Sequence, residues 1–127
     1  MSSQVFLGRC MVIDNDELDL KERNRKGDVT LMVVNMNGPR PSPVSFFDMV
    51  PPLSNYGIYI MIKMEDGSSI GLGSRIKNKP RFALDRDYKS ITFKLDNYSD
   101  GISLVCKERE SFRKAILFFR IISMLCE

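Results

Sequence analysis

The stretch from Glu108 to Glu127 constrains the fold of this chain more than any other. At about 100° per residue, it carries an apolar face with the spacing of a helix packed on a core. The members of this inner face are Phe112, Ala115, Ile116, Phe119, Ile122 and Cys126. A second apolar set, the outer set, points roughly the opposite way and consists of Leu117, Phe118, Ile121 and Leu125. One sheet cannot cover both faces, so another segment of the chain or a partner must cover the outer set.

Before this helix the pattern is one of short strands and turns. The strongest strand signal is Gly57–Met64, whose apolar residues alternate, and the Asp66-Gly67 pair after it is typical of a hairpin turn. Gly71 and Gly73 in the returning strand indicate a bulge or a close backbone approach. The predicted strands are residues 5–13, 29–36, 44–49, 57–64, 68–72, 90–95 and 102–106.

This order of elements predicts a mainly β fold closed by one C-terminal helix, with residues 1–127 as a single domain. It is the order of a pleckstrin-homology-like fold: a seven-stranded antiparallel sandwich or partly open barrel capped by the helix. The alternative is an α+β fold, in which the helix lies across one face of a single antiparallel sheet. In both, we expect Phe112, Ile116, Phe119 and Ile122 to be core residues.

Composition argues against several classes of function. The chain has no histidine, the commonest general acid–base residue at neutral pH, and contains no phosphate-binding or nucleophile-elbow glycine motif. The cysteines Cys10, Cys106 and Cys126 are too widely spaced for a zinc site, and we interpret them as buried thiols. We therefore expect a non-enzymatic protein that needs no cofactor and no metal.

Neither a secretory signal nor a long apolar run is present in the sequence. The start, MSSQVFLGRC, lacks a charged region followed by a long apolar one, and no run approaches the roughly 18 apolar residues of a membrane-spanning helix. We therefore expect an intracellular protein, nuclear or cytoplasmic, for which membrane binding is not expected.

A basic segment suggests one kind of binding. Arg75, Lys77, Lys79 and Arg81 would share a face if the segment is extended, and they are candidates for contacts to phosphates or to an acidic partner. Two alternative functions follow, a phosphoinositide-binding adaptor domain and a nucleic-acid-binding domain. The competing explanation is an edge strand that uses lysine to block pairing with other sheets. The net charge is only +3, and the first loop begins with the acidic DNDELD, which argues against a lipid headgroup.

The outer set gives the more specific signal. Exposed large apolar side chains that cluster on a surface mark protein-interaction sites, so Leu117, Phe118, Ile121 and Leu125 are the candidate partner-binding residues. The partner would be a peptide, a helix or a second copy of the chain, and nucleic acid would be secondary. The alternative is that an N-terminal segment or the proline-rich loop at residues 37–43 folds over this set.

Three local patches, Gly8–Asn15, Asp28–Val34 and Ile76–Phe82, resemble the N-terminal domain of the Rec-type meiotic accessory factors, which promote programmed DNA double-strand breaks. Gly8–Asn15 is similar to the first strand of that family, Asp28–Val34 to its second strand, and Ile76–Phe82 to its basic segment. The family's tryptophan motif is absent here, because this chain has no tryptophan. The resemblance implies a nuclear, non-enzymatic scaffold domain that docks peptides or helices of the break-forming machinery, with DNA contacts made mainly elsewhere.

Overall fold

The computed structural model describes residues 2–14, 24–77, 82–84, 90–93 and 102–126, without the side chains of residues 14, 24 and 93. Within these ranges the fold is mainly β with one C-terminal helix, as the sequence predicts. The strands are β1 Val5–Asp14, β2 Asn24–Asn35, β3 Ser42–Pro43, β4 Tyr56–Lys63, β5 Ser69–Arg75, β6 Phe82–Leu84, β7 Ser90–Phe93 and β8 Ile102–Cys106. The helix α1 is Arg109–Leu125.

All the strands of the described residues belong to one antiparallel sheet that is not closed. Its order is β5-β4-β2-β1-β8-β7-β6, with β3 paired to β2 off this path. The single-sheet alternative and a partly open sandwich both fit this arrangement. The sheet has eight strands rather than the expected seven, because β3 and β6 are short strands that the sequence pattern did not resolve. β4 lies between β2 and β5, which confirms it as a central strand.

The predicted strand at residues 44–49 is wrong. Phe46–Asp48 forms a 3-10 helix, and the Ser45 hydroxyl caps it by accepting a hydrogen bond from the Phe47 N–H at 3.2 Å. The neighbouring β3 is limited to two residues, and after Pro43 the Val44 N–H donates one further hydrogen bond to the Val33 carbonyl of β2 at 3.0 Å before the helix begins. This short helix projects aromatic side chains that a strand would have turned to alternate faces.

A close approach between β4 and β5 explains one of the two glycines of β5, Gly73. The ring of Tyr59 on the neighbouring β4 lies over Gly73, so a Cβ at that position would clash with it, whereas Gly71 leaves ordinary contact distance. The register from Gly57 to Lys63 against β5 is continuous, so no bulge is needed there. The irregularity lies instead in β1, between Phe6 and Gly8.

The cysteine interpretation needs correction. Cys10 and Cys106 are not thiols: they lie directly opposite each other in the β1–β8 register and form a disulfide across 96 residues of sequence. The bond crosses the seam between the β5-β4-β2-β1 and β8-β7-β6 parts of the sheet. Cys126 is half-buried and has no disulfide. Sequence spacing does not reveal such a pair, because only the strand order brings β1 beside β8.

α1 packs its inner face on the sheet. Phe112, Ala115, Phe119 and Ile122 are all buried, which confirms most of the predicted core. Ile116 is a correction, since it is only half-buried and packs against the edge of the core cluster. The core beneath the helix is built from alternating strand residues, including Val12, Leu31, Ile60, Ile62, Ile91, Ile102 and Leu104.

Candidate protein-interaction groove

Phe118 is not an exposed member of the outer set, contrary to the sequence interpretation. Its side chain is only 1% exposed, whereas its neighbour Leu117 is 60% exposed. Ile121 is half-buried and Leu125 is exposed. The structure therefore divides the outer set: one aromatic side chain belongs to the core, and the remaining three stay at the surface to different degrees.

Phe118 is covered by the segment that follows the proline-rich loop. The ring of Phe46 lies with its centroid 5.7 Å from that of Phe118, tilted by 59°, and Phe118 meets Phe119 edge-on at 5.3 Å. Aromatic pairs at such distances stabilise a structure beyond their buried area. Another segment of the chain therefore does cover Phe118, but it is the segment that follows the proline-rich loop rather than residues 37–43 themselves, and it covers part of the outer set only.

Beside this cover lies a groove of about 430 Å³, which we call the α1 groove. Three segments form it: the N-terminal residues, the 3-10 helix region and α1. Phe118 and Phe46 contribute from the aromatic cover already described. The complete lining is Ser2, Gln4, Val5, Phe6, Ser45, Phe46, Phe47, Lys114, Leu117, Phe118 and Ile121.

The N-terminal wall of the α1 groove is held in place by a buried serine. The Ser3 hydroxyl accepts a hydrogen bond from the Val33 N–H at 2.9 Å and donates one to the Val44 carbonyl at 2.7 Å. The Ser3 N–H donates to the same Val44 carbonyl at 3.2 Å. The Ser3 side chain thus links the N-terminal segment both to β2 and to Val44, just before the 3-10 helix.

The helical wall is tied to β1 by two side chains of α1. The Ser111 hydroxyl, buried, donates to the Leu7 carbonyl at 2.6 Å, and the Lys114 ammonium donates to the Phe6 carbonyl at 3.3 Å. Both acceptors lie at the irregularity of β1 beside Gly8, whose φ of 80° is the left-handed conformation that glycine tolerates. Hydrogen bonds within the chain therefore hold the helical wall against β1.

The sequence interpretation missed the two exposed aromatic residues of the groove. Phe47 is 79% exposed and Phe6 is 56% exposed, and both line the groove beside Leu117. Each sits in a segment predicted to be a strand, where an aromatic residue is ordinarily a core residue. The sequence offered one signal for Phe47, which is its position before Asp48 in a proline-rich neighbourhood.

Apolar exposure continues along α1 beyond the groove. Met124 and Leu125 lie one helical turn after Ile121 and are both exposed, although neither lines the groove. Helical spacing places Leu117, Ile121 and these two residues along one stripe of the helix surface. Leu125 is thus an extension of the candidate site rather than a wall of it.

Of the four basic residues, Arg75 and Lys77 belong to the part of the chain that the structure describes. Arg75 ends β5 and its guanidinium donates to the Ser54 carbonyl at 2.9 Å, while Lys77 is exposed. Lys79 and Arg81 lie outside the described residues. β5 lies at one end of the sheet order, but it stops at Arg75, so the edge-strand explanation applies to Arg75 and not to Lys77. Arg75 is also engaged in a contact within the chain.

A second groove, of about 580 Å³, lies beside the disulfide and is larger. Its rim carries Arg9, Lys26 and Lys107, and Met11 and Val105 contribute apolar surface. Arg9 forms an ion pair with Glu65, which offsets one of the three positive charges. We regard the α1 groove as the better candidate despite its smaller volume, because exposed aromatic side chains are what protein interfaces enrich.

Among the described residues, no helix has the length and apolar character needed to cross a membrane. No family model, no curated protein and no solved structure matches this chain.

Proposed function

We propose that this protein is a non-enzymatic interaction module that docks an apolar peptide or helix of a partner protein in the α1 groove. The observation that carries the proposal is the exposure of Phe6, Phe47 and Leu117 around one groove. Aromatic and aliphatic side chains that converge on a pocket are the usual anchors of a protein interface. The hydrogen bonds of Ser3 and Ser111 support the proposal further, since walls set in advance reduce the entropy lost on binding.

The resemblance to the Rec-type meiotic factors extends this proposal to a cellular role. It makes the protein a nuclear scaffold of meiotic double-strand-break formation, with the α1 groove as a docking site for another member of that machinery. A single open antiparallel sheet with a C-terminal helix is compatible with the expected pleckstrin-homology-like domain. A tagged protein should then form nuclear foci in meiotic prophase, and its loss should reduce the number of breaks. Cytoplasmic staining with unchanged break numbers would contradict this role.

Affinity capture from nuclear extract with mass spectrometry tests the docking function directly. Wild-type protein is compared with Leu117→Lys and Phe47→Ser, which alter the groove from two different segments, and with Lys77→Gln, which changes an exposed side chain elsewhere. Specific partners should be retained by wild type and Lys77→Gln and lost from both groove variants. An identical set of bound proteins in all four samples would refute docking through this groove.

The phosphate-binding alternatives are tested on the same protein. Reversing the charges of Arg75, Lys77, Lys79 and Arg81 together should leave partner binding within about tenfold at physiological salt, where surface charges are screened beyond about 8 Å. Binding to phosphoinositide liposomes or a salt-dependent shift of nucleic acid, lost in the reversed variant, would favour the adaptor or the nucleic-acid function instead.

A further inference from the structure

The exposed stripe of α1 has a charged margin as well as apolar anchors. On a helical projection of about 100° per residue, Leu117 and Met124 lie at the centre of the stripe. Arg113 and Arg120 lie together along the side turned away from the α1 groove, and we call this pair the arginine edge. Both arginines are exposed.

Positive charge also marks the groove side of the stripe. Among the described residues that line the groove, Lys114 is the one charged side chain, and no carboxylate is found there. The stripe therefore has a cation on its groove side and two cations on its far side. Glu110 falls on the same side of the helical projection as the stripe, but it lies one turn before Lys114 and so precedes the stretch from Lys114 to Leu125. Neither Glu110 nor Asp48, which lies beside Phe47, belongs to the groove lining.

From this arrangement we propose that the partner segment is an acidic amphipathic helix, which sets its apolar face on the stripe and its carboxylates against the arginine edge and Lys114. The inference rests on the docking function proposed above and specifies its ligand. Oppositely charged rims fix orientation and select against wrong partners, while buried apolar anchors supply most of the affinity.

The length of the stripe sets the length of the ligand. From Lys114 to Leu125 the helix advances about 16 Å at about 1.5 Å per residue, which is roughly three turns. A partner helix of that length presents apolar anchors at i, i+3 or i+4, and i+7. Its acidic residues flank these anchors, so that one carboxylate can reach each arginine of the edge.

A second copy of the chain fits this surface less well. In an antiparallel two-fold pairing of helices, the same side of each helix meets its symmetry mate. The arginine edge of one copy would therefore face the arginine edge of the other, and like charges opposite each other oppose association. An acidic partner instead places carboxylates opposite the two arginines of one copy, where the opposite charges attract.

Selection from a library of helical peptides tests the proposal without knowledge of the natural partner. The probe is a displayed helix of about four turns with a constant leucine stripe, in which the flanking positions vary among Glu, Gln and Lys. Binders are selected on the wild-type protein, on the double variant Arg113→Glu/Arg120→Glu, and on the control Lys63→Glu/Lys77→Glu. The control makes the same change in net charge at exposed lysines outside α1.

Wild type and control should enrich Glu at the flanking positions, and the Arg113→Glu/Arg120→Glu variant should not. For a selected acidic peptide, that variant should weaken binding by about three- to tenfold, the size expected for two exposed ion pairs. The difference should shrink in 0.5 M NaCl, where the screening length falls to a few ångströms.

The possible failures separate the two proposals. One failure is that the selected peptides compete with one another and lose binding to the Leu117→Lys variant, yet show no preference for Glu. That result would overturn the acidic ligand and leave groove docking intact. The absence of any binder sensitive to Leu117→Lys would overturn both. A dimer of the protein alone, seen by analytical ultracentrifugation at micromolar concentration and abolished by Leu117→Lys, would make a second copy the occupant and overturn the acidic helix.

Discussion

The two faces of α1 are similarly apolar, but the inner face is buried and the outer one is largely exposed. The inner face buries Phe112, Phe119 and Ile122 on the sheet, whereas the outer stripe leaves Leu117 and Met124 in solvent. Hydrophobicity alone does not separate them. The difference lies in the segments packed against each face, because a broad sheet covers the inner face, whereas the outer face meets short segments around Phe6 and Phe46.

The largest effect should come from the inner face. Phe119→Ala should lower the free energy of unfolding by about 3–5 kcal/mol, since the ring is fully buried and its removal leaves a cavity. Urea denaturation followed by circular dichroism measures this loss. A loss below about 1 kcal/mol would mean that the face assigned to the core carries little of the packing energy.

Phe118 and Leu117 form a matched pair that tests where the boundary between the faces lies. Phe118→Ala should cost about 3 kcal/mol because the ring is enclosed between Phe46 and Phe119. Leu117→Ala should stay within about 0.5 kcal/mol, as surface substitutions usually do. Equal losses from the two variants, measured by the same denaturation, would place both residues on one side of the boundary.

An intermediate effect is expected where the helix is tied to β1. Ser111→Ala removes the donor to the buried Leu7 carbonyl and should cost about 1–3 kcal/mol, the usual penalty for leaving a buried polar group unpaired. Ser123→Ala on the same helix serves as the control and should have little effect. Similar thermal unfolding curves for the two variants would show that this anchor does not hold the helical wall.

The smallest effect on stability should accompany the largest effect on binding. Leu117→Lys and Leu125→Glu alter exposed positions, so each should shift thermal unfolding by only a few degrees, while capture of the partner is lost. Differential scanning calorimetry and the capture experiment are run on the same preparations. Failure of these variants to fold would show that the outer stripe is internal.

The fold class could be predicted from the sequence because it depends on local periodicity. The alternation in β4 and the helical spacing from Phe112 to Ile122 each follow from the geometry of one element, and both were predicted from sequence. The strand assigned to residues 44–49 was wrong because short aromatic runs suit a strand or a turn equally well. Ile116 was placed in the core because a projection gives the direction of a side chain but not the extent of the sheet beneath it.

The candidate site was predicted in part for the same reason. Leu117, Ile121 and Leu125 were found because they share a helix, and their surface position follows from the inner face being occupied. The sequence could not place Phe6 and Phe47 in the same site as these residues, because the three segments are far apart in sequence and meet only through tertiary packing. Phe118 was assigned to the wrong group because nothing in its own helix indicates that Phe46 lies over it.

The sequence by itself determined that this chain forms strands followed by one helix with apolar residues on both sides, because period and composition act over a few residues. Tertiary structure alone decided which of those apolar residues remain exposed. It also decided that Cys10 meets Cys106, since both outcomes depend on which distant segments the sheet order brings together. Burial and cross-strand pairing are relations between segments, and no single segment encodes them.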